Sequence, residues 1–383
     1  MKIPPLVDAR AVLGADEARR YSRHTVIPQI SLAGQERLKT AKVVCIGAGG
    51  LGSPVLMYLA AAGIGTLGIV EFDMVDDSNL QRQIIHGQSD IRRSKAESAQ
   101  AKIVEINPHV QVVIHQVRLD RSNAMEILKD YDVIIDGTDN FATRYLINDA
   151  CVLLKKPYIW GSVLRFDGQA TVFFSDYGPC YRCLHPEPAA DTPNCAEAGV
   201  LGVLCASIGS IQATEAIKLI TGIGEPLIGS LMIYDALAMS YRTIKVSKDP
   251  SCVICGNNPT QHGLADDYDA FCARTTLSHI TARELKAKMD NGDDFLLVDV
   301  REPYEFEIVR IPGSVLIPLS RFIDGSAIEI LPRDKPIILH CHAGMRSATS
   351  LAILKNAGFG DATHVEGGML AWTEHVDPTG TVY

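Results

Sequence analysis

Ala41 to Ile46 is a short apolar run with the pattern of a buried strand. It enters Gly47-Ala48-Gly49-Gly50-Leu51-Gly52 directly, and a helical pattern starts at Pro54. Leu67 to Phe72 is a second strand-like run that ends at Asp73, and Val133 to Asp136 is a third. Ser53 to Val70 is nearly uncharged, but Gly63, Gly65 and Gly68 interrupt it. It therefore predicts a buried helix, a turn and a strand, not a membrane span. Asn257 to Thr276 is polar, with Gly263 and an acidic cluster at Asp266, Asp267 and Asp269, and predicts a linker. Periodicity restarts at Ser278-His279-Ile280-Thr281, where Thr281 suits a helix N-cap with Glu284 three residues on. Farther on, Pro336 to Leu339 reads as a strand, and Ser347 to Ala357 reads as a helix. The expectation is an α/β chain with a front domain at 1–256, a linker at 257–277 and a back domain at 278–383. No internal repeat or low-complexity segment interrupts it.

Composition narrows this picture. The chain has 383 residues, 47% of them hydrophobic and 21% charged, as ordinary globular proteins do. A net charge of −9 argues against a nucleic-acid partner. Met1 to Arg10 carries Pro-Pro and charges in place of an apolar signal core, which predicts a cytoplasmic protein. In that setting ten cysteines point to metal and thiol chemistry instead of disulfides.

The glycine run between a strand and a helix suits phosphate. Glycine admits close backbone approach, and the helix N-terminus offers N–H donors and positive potential. Asp73 at the end of the second strand suits a ribose hydroxyl pair. These features alone would favour a nicotinamide oxidoreductase. The residues that follow argue against it: Ser78-Asn79-Leu80-Gln81-Arg82-Gln83, then Lys95, then Gly137-Thr138-Asp139-Asn140. Two cations and a further acid at the carboxyl end of the sheet suit attack on the α-phosphate of ATP. The cations meet the departing pyrophosphate, and the acid can hold Mg²⁺.

Together with Arg20-Tyr21-Ser22-Arg23 and Ile106-Asn107-Pro108-His109, these motifs resemble the ubiquitin-activating-enzyme-like adenylyltransferases from about Tyr21 to Gly256. The resemblance is greatest to those that serve molybdopterin-synthase and thiamine sulfur carriers. It implies a Rossmann-like nucleotide-binding domain with a structural zinc site. It also implies ribose binding by Asp73, phosphate binding by Asn79, Arg82 and Lys95, and Mg²⁺ binding by Asp139. Gly47, Gly49, Gly50, Gly52, Ser78, Gln83 and Asn140 complete the nucleotide set. Arg23 would reach into a partner subunit's site, which implies a homodimer.

Cys180-Tyr181-Arg182-Cys183 and Cys252-Val253-Ile254-Cys255 are paired thiolates of the kind that fill a closed, structural zinc site. Sixty-eight residues lie between Cys183 and Cys252, so spacing alone leaves a shared metal and a redox dithiol both open. The family resemblance implies one shared Zn²⁺. Cys195 lies in a loop, Thr192-Pro193-Asn194-Cys195, where the resembling family can form a covalent link to its carrier. Cys45, Cys151 and Cys205 sit in apolar runs and read as core, and Cys272 carries no motif.

Cys341-His342-Ala343-Gly344-Met345-Arg346 lies between the strand ending at Leu339 and the helix starting at Ser347. Backbone N–H groups, the helix dipole and Arg346 would favour a thiolate at Cys341. The loop is one residue shorter than that of cysteine-dependent phosphatases and suits a sulfane sulfur. With Leu296 to Phe306, Ile311-Pro312-Gly313-Ser314 and Ile317-Pro318, it resembles the rhodanese sulfurtransferases, an α/β fold. Val309-Arg310 and His342 depart from that family's usual Gly-His and Arg.

Joined, the two resemblances imply that the front domain uses ATP and Mg²⁺ to adenylate a ubiquitin-like sulfur carrier ending in Gly-Gly. A Cys341 persulfide, charged by thiosulfate or by a cysteine desulfurase, would convert the carrier to a thiocarboxylate for molybdopterin, thiamine or cysteine synthesis or tRNA thiolation. Three other readings remain. One is a protein-conjugation activator with a carrier thioester at Cys195 and the back domain as docking module. The others are a nicotinamide oxidoreductase fused to a phosphatase-like domain, and a non-enzymatic scaffold.

Overall fold

The computed structural model describes residues 2–188, 199–272 and 278–378. They form two compact units, 2–188 with 199–272, and 278–378. In the first, β1 (Lys42–Ile46), β2 (Thr66–Val70), β3 (Gln111–His115), β4 (Val133–Asp136), β5 (Tyr158–Leu164), β6 (Asp167–Phe173), β7 (Ser230–Asp235) and β8 (Ser240–Lys245) make one eight-stranded sheet. Its order is β3-β2-β1-β4-β5-β6-β7-β8, parallel through β5 and antiparallel after it. The order reverses between β1 and β4, so a crevice opens at their carboxyl ends. β1 is buried from Val43 to Ile46 and β4 throughout, which is why both read as unbroken apolar runs.

The uncharged stretch is helix Gly52–Ala62, a turn at Gly63, and β2, as expected. Helix Gly202–Thr221 is apolar and long enough to cross a membrane, but more than half of it is buried against β5 and helix Gly52–Ala62. Gln212 on that helix donates to the carbonyls of Asp136 (2.8 Å) and Ile159 (3.4 Å), fixing it beneath the crevice.

The segment expected as a linker is partly built into the first unit. Tyr268 is buried and donates to Asp149 Oδ2 at 2.8 Å, and Gln261 Nε2 reaches the same oxygen at 2.7 Å. Arg118 pairs with Asp269 and Arg121 with Asp266. Helix Tyr268–Cys272 ends the segment, and 273–277 lie outside the described residues. Local polarity predicted a linker because the anchor is remote: Asp149 sits on helix Phe141–Leu154, completely buried, with Arg182 paired to it at 2.7 and 2.8 Å. A buried carboxylate requires such a shell of donors.

The second unit is a five-stranded parallel sheet, order β11-β10-β12-β13-β9, built from β9 (His279–Ile280), β10 (Leu296–Asp299), β11 (Val315–Leu316), β12 (Ile337–His340) and β13 (Thr363–Val365). Helix Ala282–Asp290 starts at Thr281 with the expected capping box. Thr281 N–H donates to Glu284 Oε2 at 2.7 Å, and Glu284 N–H to Thr281 Oγ1 at 3.2 Å. One edge strand is Val315–Leu316, which stops short of Pro318, since proline cannot donate to a ladder. At the end of β10, Arg301 folds onto Asp299 (Nη2–Oδ2 2.6 Å) and donates to Val309 O at 2.7 Å, with both side chains fully buried.

Two stability measurements follow from these buried charges. Asp149→Ala strands the Arg182 guanidinium and should destabilise the first unit by about 3–5 kcal/mol. The readout is a lowered denaturation midpoint, with faster amide exchange across 257–272. In the second unit, burial pushes the His340 imidazole down to about 4, against the pull of Asp299. An unfolded histidine, with a pKa near 6.5, binds the proton first. This contribution to stability is therefore present above about pH 6.5 and is lost as pH falls toward 4. Unfolding measured across that window should show the loss, and His340→Asn should flatten it.

Candidate nucleotide cleft, metal centre and sulfur site

A cleft of about 370 Å³ opens at the carboxyl ends of β1 and β4. Gly47, Gly49, Gly50, Asp73, Arg82, Gln83, Lys95, Asp139 and Asn140 all line it. Gly47 has φ +95°, and a Cβ there would stand 3.0 Å from Gly137 O. A Cβ on Gly50 would stand 2.8 Å from Cys205 Sγ. Gly52 does not line the cleft; a side chain there would collide with the Gly47 carbonyl, so its glycine serves packing at the helix start.

Lys95 opens helix Lys95–Ile106, whose N-cap is Ser94, and is only 7% exposed. Its ammonium lies 3.2 Å from Asp73 Oδ2. Arg82 Nη1 donates to Ser78 O at 3.2 Å. Ser78 and Asn79 form the turn that carries Arg82: Asp76 Oδ1 accepts from Ser78 N–H (2.9 Å) and Oγ–H (2.6 Å), and Asn79 Oδ1 accepts from Asp76 N–H at 3.2 Å. Neither is a lining residue. Asn140 Oδ1 caps helix Phe141–Leu154 through Thr143 N–H at 2.8 Å. Asp139 stands exposed at the cleft. Arg23 is exposed on the short helix Ser22–Thr25 and does not line this cleft. Cys195 lies outside the described residues.

Sequence reasoning passed over Glu71 and Arg144, both buried and both lining the cleft. The Glu71 carboxylate accepts from the N–H groups of Ala48 (3.0 Å), Phe72 (2.8 Å) and Asp73 (2.9 Å), tying the glycine loop to the end of β2. Its signal was a charge ending an apolar run. Arg144 Nη2 donates to Thr138 O at 3.3 Å, and its guanidinium lies 5.7 Å from the Trp160 ring. Below it, Asp136 accepts from Thr138 N–H (2.8 Å) and Tyr158 OH (2.6 Å). Burial pushes the Asp136 carboxyl up, and Arg144 opposes that.

The two C-x₂-C pairs converge. All four Sγ atoms lie within 4.8 Å of one another, with separations of 3.8, 3.6 and 3.4 Å for Cys180–Cys183, Cys180–Cys252 and Cys183–Cys255. A tetrahedral ion with Zn–S bonds of about 2.3 Å sets S···S edges of about 3.8 Å. The donor set therefore fits one closed zinc site. Cys45, Cys151 and Cys205 are buried, as expected of core residues, though Cys205 also faces the cleft.

Cys341 follows β12 and is 1% exposed. Its Sγ accepts from Gly344 N–H at 3.1 Å and lies 3.6 Å from Ser347 Oγ. Gly344, at φ +104°, turns the chain into helix Met345–Asn356. Arg346 is held in a bidentate pair by Glu305 of helix Pro303–Ile308, at 2.6 and 2.7 Å. The groups recorded at the sulfur itself are thus a backbone N–H and a hydroxyl.

Residues 21–254 match the ThiF family, and residues 281–375 match the rhodanese-like domain. The chain belongs to the ThiF family. It carries the rhodanese-like domain behind the ThiF part. Over its whole length it is 52% identical to "Probable adenylyltransferase/sulfurtransferase MoeZ" of Mycobacterium tuberculosis, covering 99% of that protein. It is 40% identical to "Adenylyltransferase and sulfurtransferase MOCS3" of Drosophila ananassae, over 97% of this chain and 86% of that one. Among solved structures, Escherichia coli MccB with ATP superposes with a TM-score of 0.56 at 22% identity, over 63% of this chain and 75% of that one. That likeness is one of fold.

Metal analysis of the purified chain should find about one zinc per chain. Cys252→Ser should lower that content and the first unit's thermal midpoint together, while the second unit's unfolding stays unchanged.

Proposed function

We propose that this ThiF-family chain adenylates the C-terminal Gly-Gly carboxylate of a ubiquitin-like sulfur carrier and then converts it to a thiocarboxylate. One observation carries the reading: a glycine-walled, cation-lined cleft and a buried thiol cradle occur on a single chain, and relatives named for both activities match at least 97% of that chain.

In the cleft, Asp73 suits the ribose hydroxyls and the glycine loop suits the phosphates. A carrier carboxylate oxygen attacks the α-phosphorus of ATP, and Arg82 and Lys95 meet the charge of the departing pyrophosphate. Exposed Asp139 suits a hydrated hard cation, and Mg²⁺ there would neutralise phosphate charge. The carboxylate is turned into an acyl adenylate because AMP is a far better leaving group than oxide. The terminal sulfur of a Cys341 persulfide then attacks the acyl carbon, and AMP departs. This leaves an acyl disulfide on Cys341. Attack on its Cys341 sulfur by a thiolate, for which we propose Cys195, frees the thiocarboxylate and leaves a disulfide for an external thiol to reduce. The persulfide itself comes from thiosulfate or a desulfurase persulfide. A homodimer in which Arg23 reaches the partner subunit's cleft fits its exposure and the exposed apolar Val26, Ile27 and Leu32 close to it in sequence.

The test incubates the full chain with ATP, Mg²⁺, thiosulfate and each candidate Gly-Gly carrier, and weighs the carrier intact. The expected mass gain is one sulfur in place of one oxygen. Cys341→Ala should abolish that gain and leave pyrophosphate release unchanged, whereas Lys95→Ala should slow pyrophosphate release about 100-fold or more. Retained sulfuration in Cys341→Ala, or a carrier thioester accumulating on Cys195 with no sulfuration, would overturn the reading.

A further inference from the structure

Cys341 is buried, yet sulfur chemistry needs its thiolate, so the thiol proton requires a way out. A line of groups leads from the sulfur toward the surface. Ser347, completely buried, places Oγ 3.6 Å from Cys341 Sγ and 3.3 Å from His364 Nδ1, with Gly344 O at 2.8 Å. His364 lies on β13, opposite His279 of β9 in the ladder, and the two rings meet edge to face with centroids 6.3 Å apart. His279 is about half exposed, and its Nε2 lies 3.8 Å from Glu366. We propose that Cys341, Ser347 and His364 form a proton relay that generates the Cys341 thiolate. This rests on the sulfurtransferase reading of Cys341 and goes beyond it.

The step balances without any co-reactant. The S–H bond breaks as its proton moves to Ser347 Oγ. The hydroxyl proton moves to His364 Nδ1, and the bonding electron pair stays on sulfur. The products are a thiolate and an imidazolium, with Ser347 again a hydroxyl that can donate to sulfur. The proton stays on His364, so that thiolate and imidazolium stand as an ion pair bridged by the Ser347 hydroxyl. Geometry suits each partner. The helix Met345–Asn356 carries Ser347 at its first turn, and this helix packs on β13. Burial lowers the His364 pKa and neighbouring His279 lowers it further, while Glu366 and the Gly344 carbonyl raise it. The net direction is downward, so the ring is neutral before the transfer. Titratable and charged groups around Cys341 also include His342, the Glu305–Arg346 pair, and buried His340 with Asp299 and Arg301. His364 acts through Ser347 and is therefore a positioning residue.

The test is the pH dependence of Cys341 alkylation in the full chain, read by iodoacetamide labelling and mass spectrometry of the Cys341 peptide. His364→Gln and Ser347→Ala should each raise the midpoint by about one pH unit, slowing alkylation near neutrality about tenfold. The rate at the alkaline plateau should stay unchanged, which also shows that the loop is folded. The double variant should be no slower than either single one, and Ser347→Thr should restore the wild-type midpoint. Unchanged midpoints in His364→Gln and Ser347→Ala, or additive shifts in the double variant, would overturn the relay. Alkylation reports the thiolate whether or not sulfur is delivered. Shifted midpoints with no carrier sulfuration would count against the proposed function alone, and sulfuration with unshifted midpoints against the relay alone.

Discussion

The first unit depends on the close approach of two backbones at the point where the sheet reverses its order. Gly47 ends β1 and Gly137 ends β4, and a side chain on either would press into the other's carbonyl region, at 3.0 and 2.9 Å. Only because both are glycine can the following segments part there, one into helix Gly52–Ala62 and the other toward helix Phe141–Leu154. The crevice between them is the cleft. Its floor is held by polar groups that would be costly if unpaired: Asp136 with Tyr158, Thr138 and Arg144, and the Asp136 carbonyl with Gln212. Glu71 ties the glycine loop to β2 in the same way. The cleft thus sets the glycine loop, Arg82 and Lys95 over a base held by these bonds, as electrostatic preorganisation requires.

A second constraint lies at the far end of helix Phe141–Leu154. Arg182, between the first pair of zinc-type cysteines, forms a buried fork on Asp149, which also takes Tyr268 and Gln261. The guanidinium is sandwiched by the rings of Tyr145 and Phe271, each 4.8 Å away. One carboxylate therefore joins the cysteine knuckle, the helix whose first turn caps the cleft, and the segment that follows the second cysteine pair. This explains why residues of linker-like composition are built into the first unit.

The sulfur site follows the same physics in a smaller frame. A strand ends, a left-handed glycine turns the chain, and the start of a helix brings the Gly344 N–H to the Cys341 sulfur. Gly368 is as necessary as Gly344, since a Cβ there would strike the Cys341 carbonyl. Its absence lets Met369 N–H donate to Cys341 O at 2.8 Å and Leu370 N–H to His342 O at 3.0 Å. The loop is thereby pinned from outside by a second helix, while Glu305 fixes Arg346 at its end.

The sequence by itself determined what depends on local pattern. β1, β2, β4 and β12 were legible as apolar runs, Thr281 as a capping residue, and the glycine and cysteine loops as strand-to-helix junctions, because each is set by neighbours in the chain. Most of the cleft's polar lining was legible for the same reason: Arg82, Lys95 and Asp139 follow strand ends at readable intervals. Tertiary structure alone decided three things. It brought Cys180 and Cys183 to Cys252 and Cys255 across sixty-eight residues, a matter on which their spacing was silent. It assigned Ser78, Asn79 and Gly52 to shaping the site instead of lining it, because a side chain's direction depends on which hydrogen bonds the turn completes. It also placed Glu71 and Arg144 in the cleft's lining and His364 against Ser347. Each of these lies within or next to an apolar segment, and its role comes from the elements that fold against it, which no periodicity in the chain encodes.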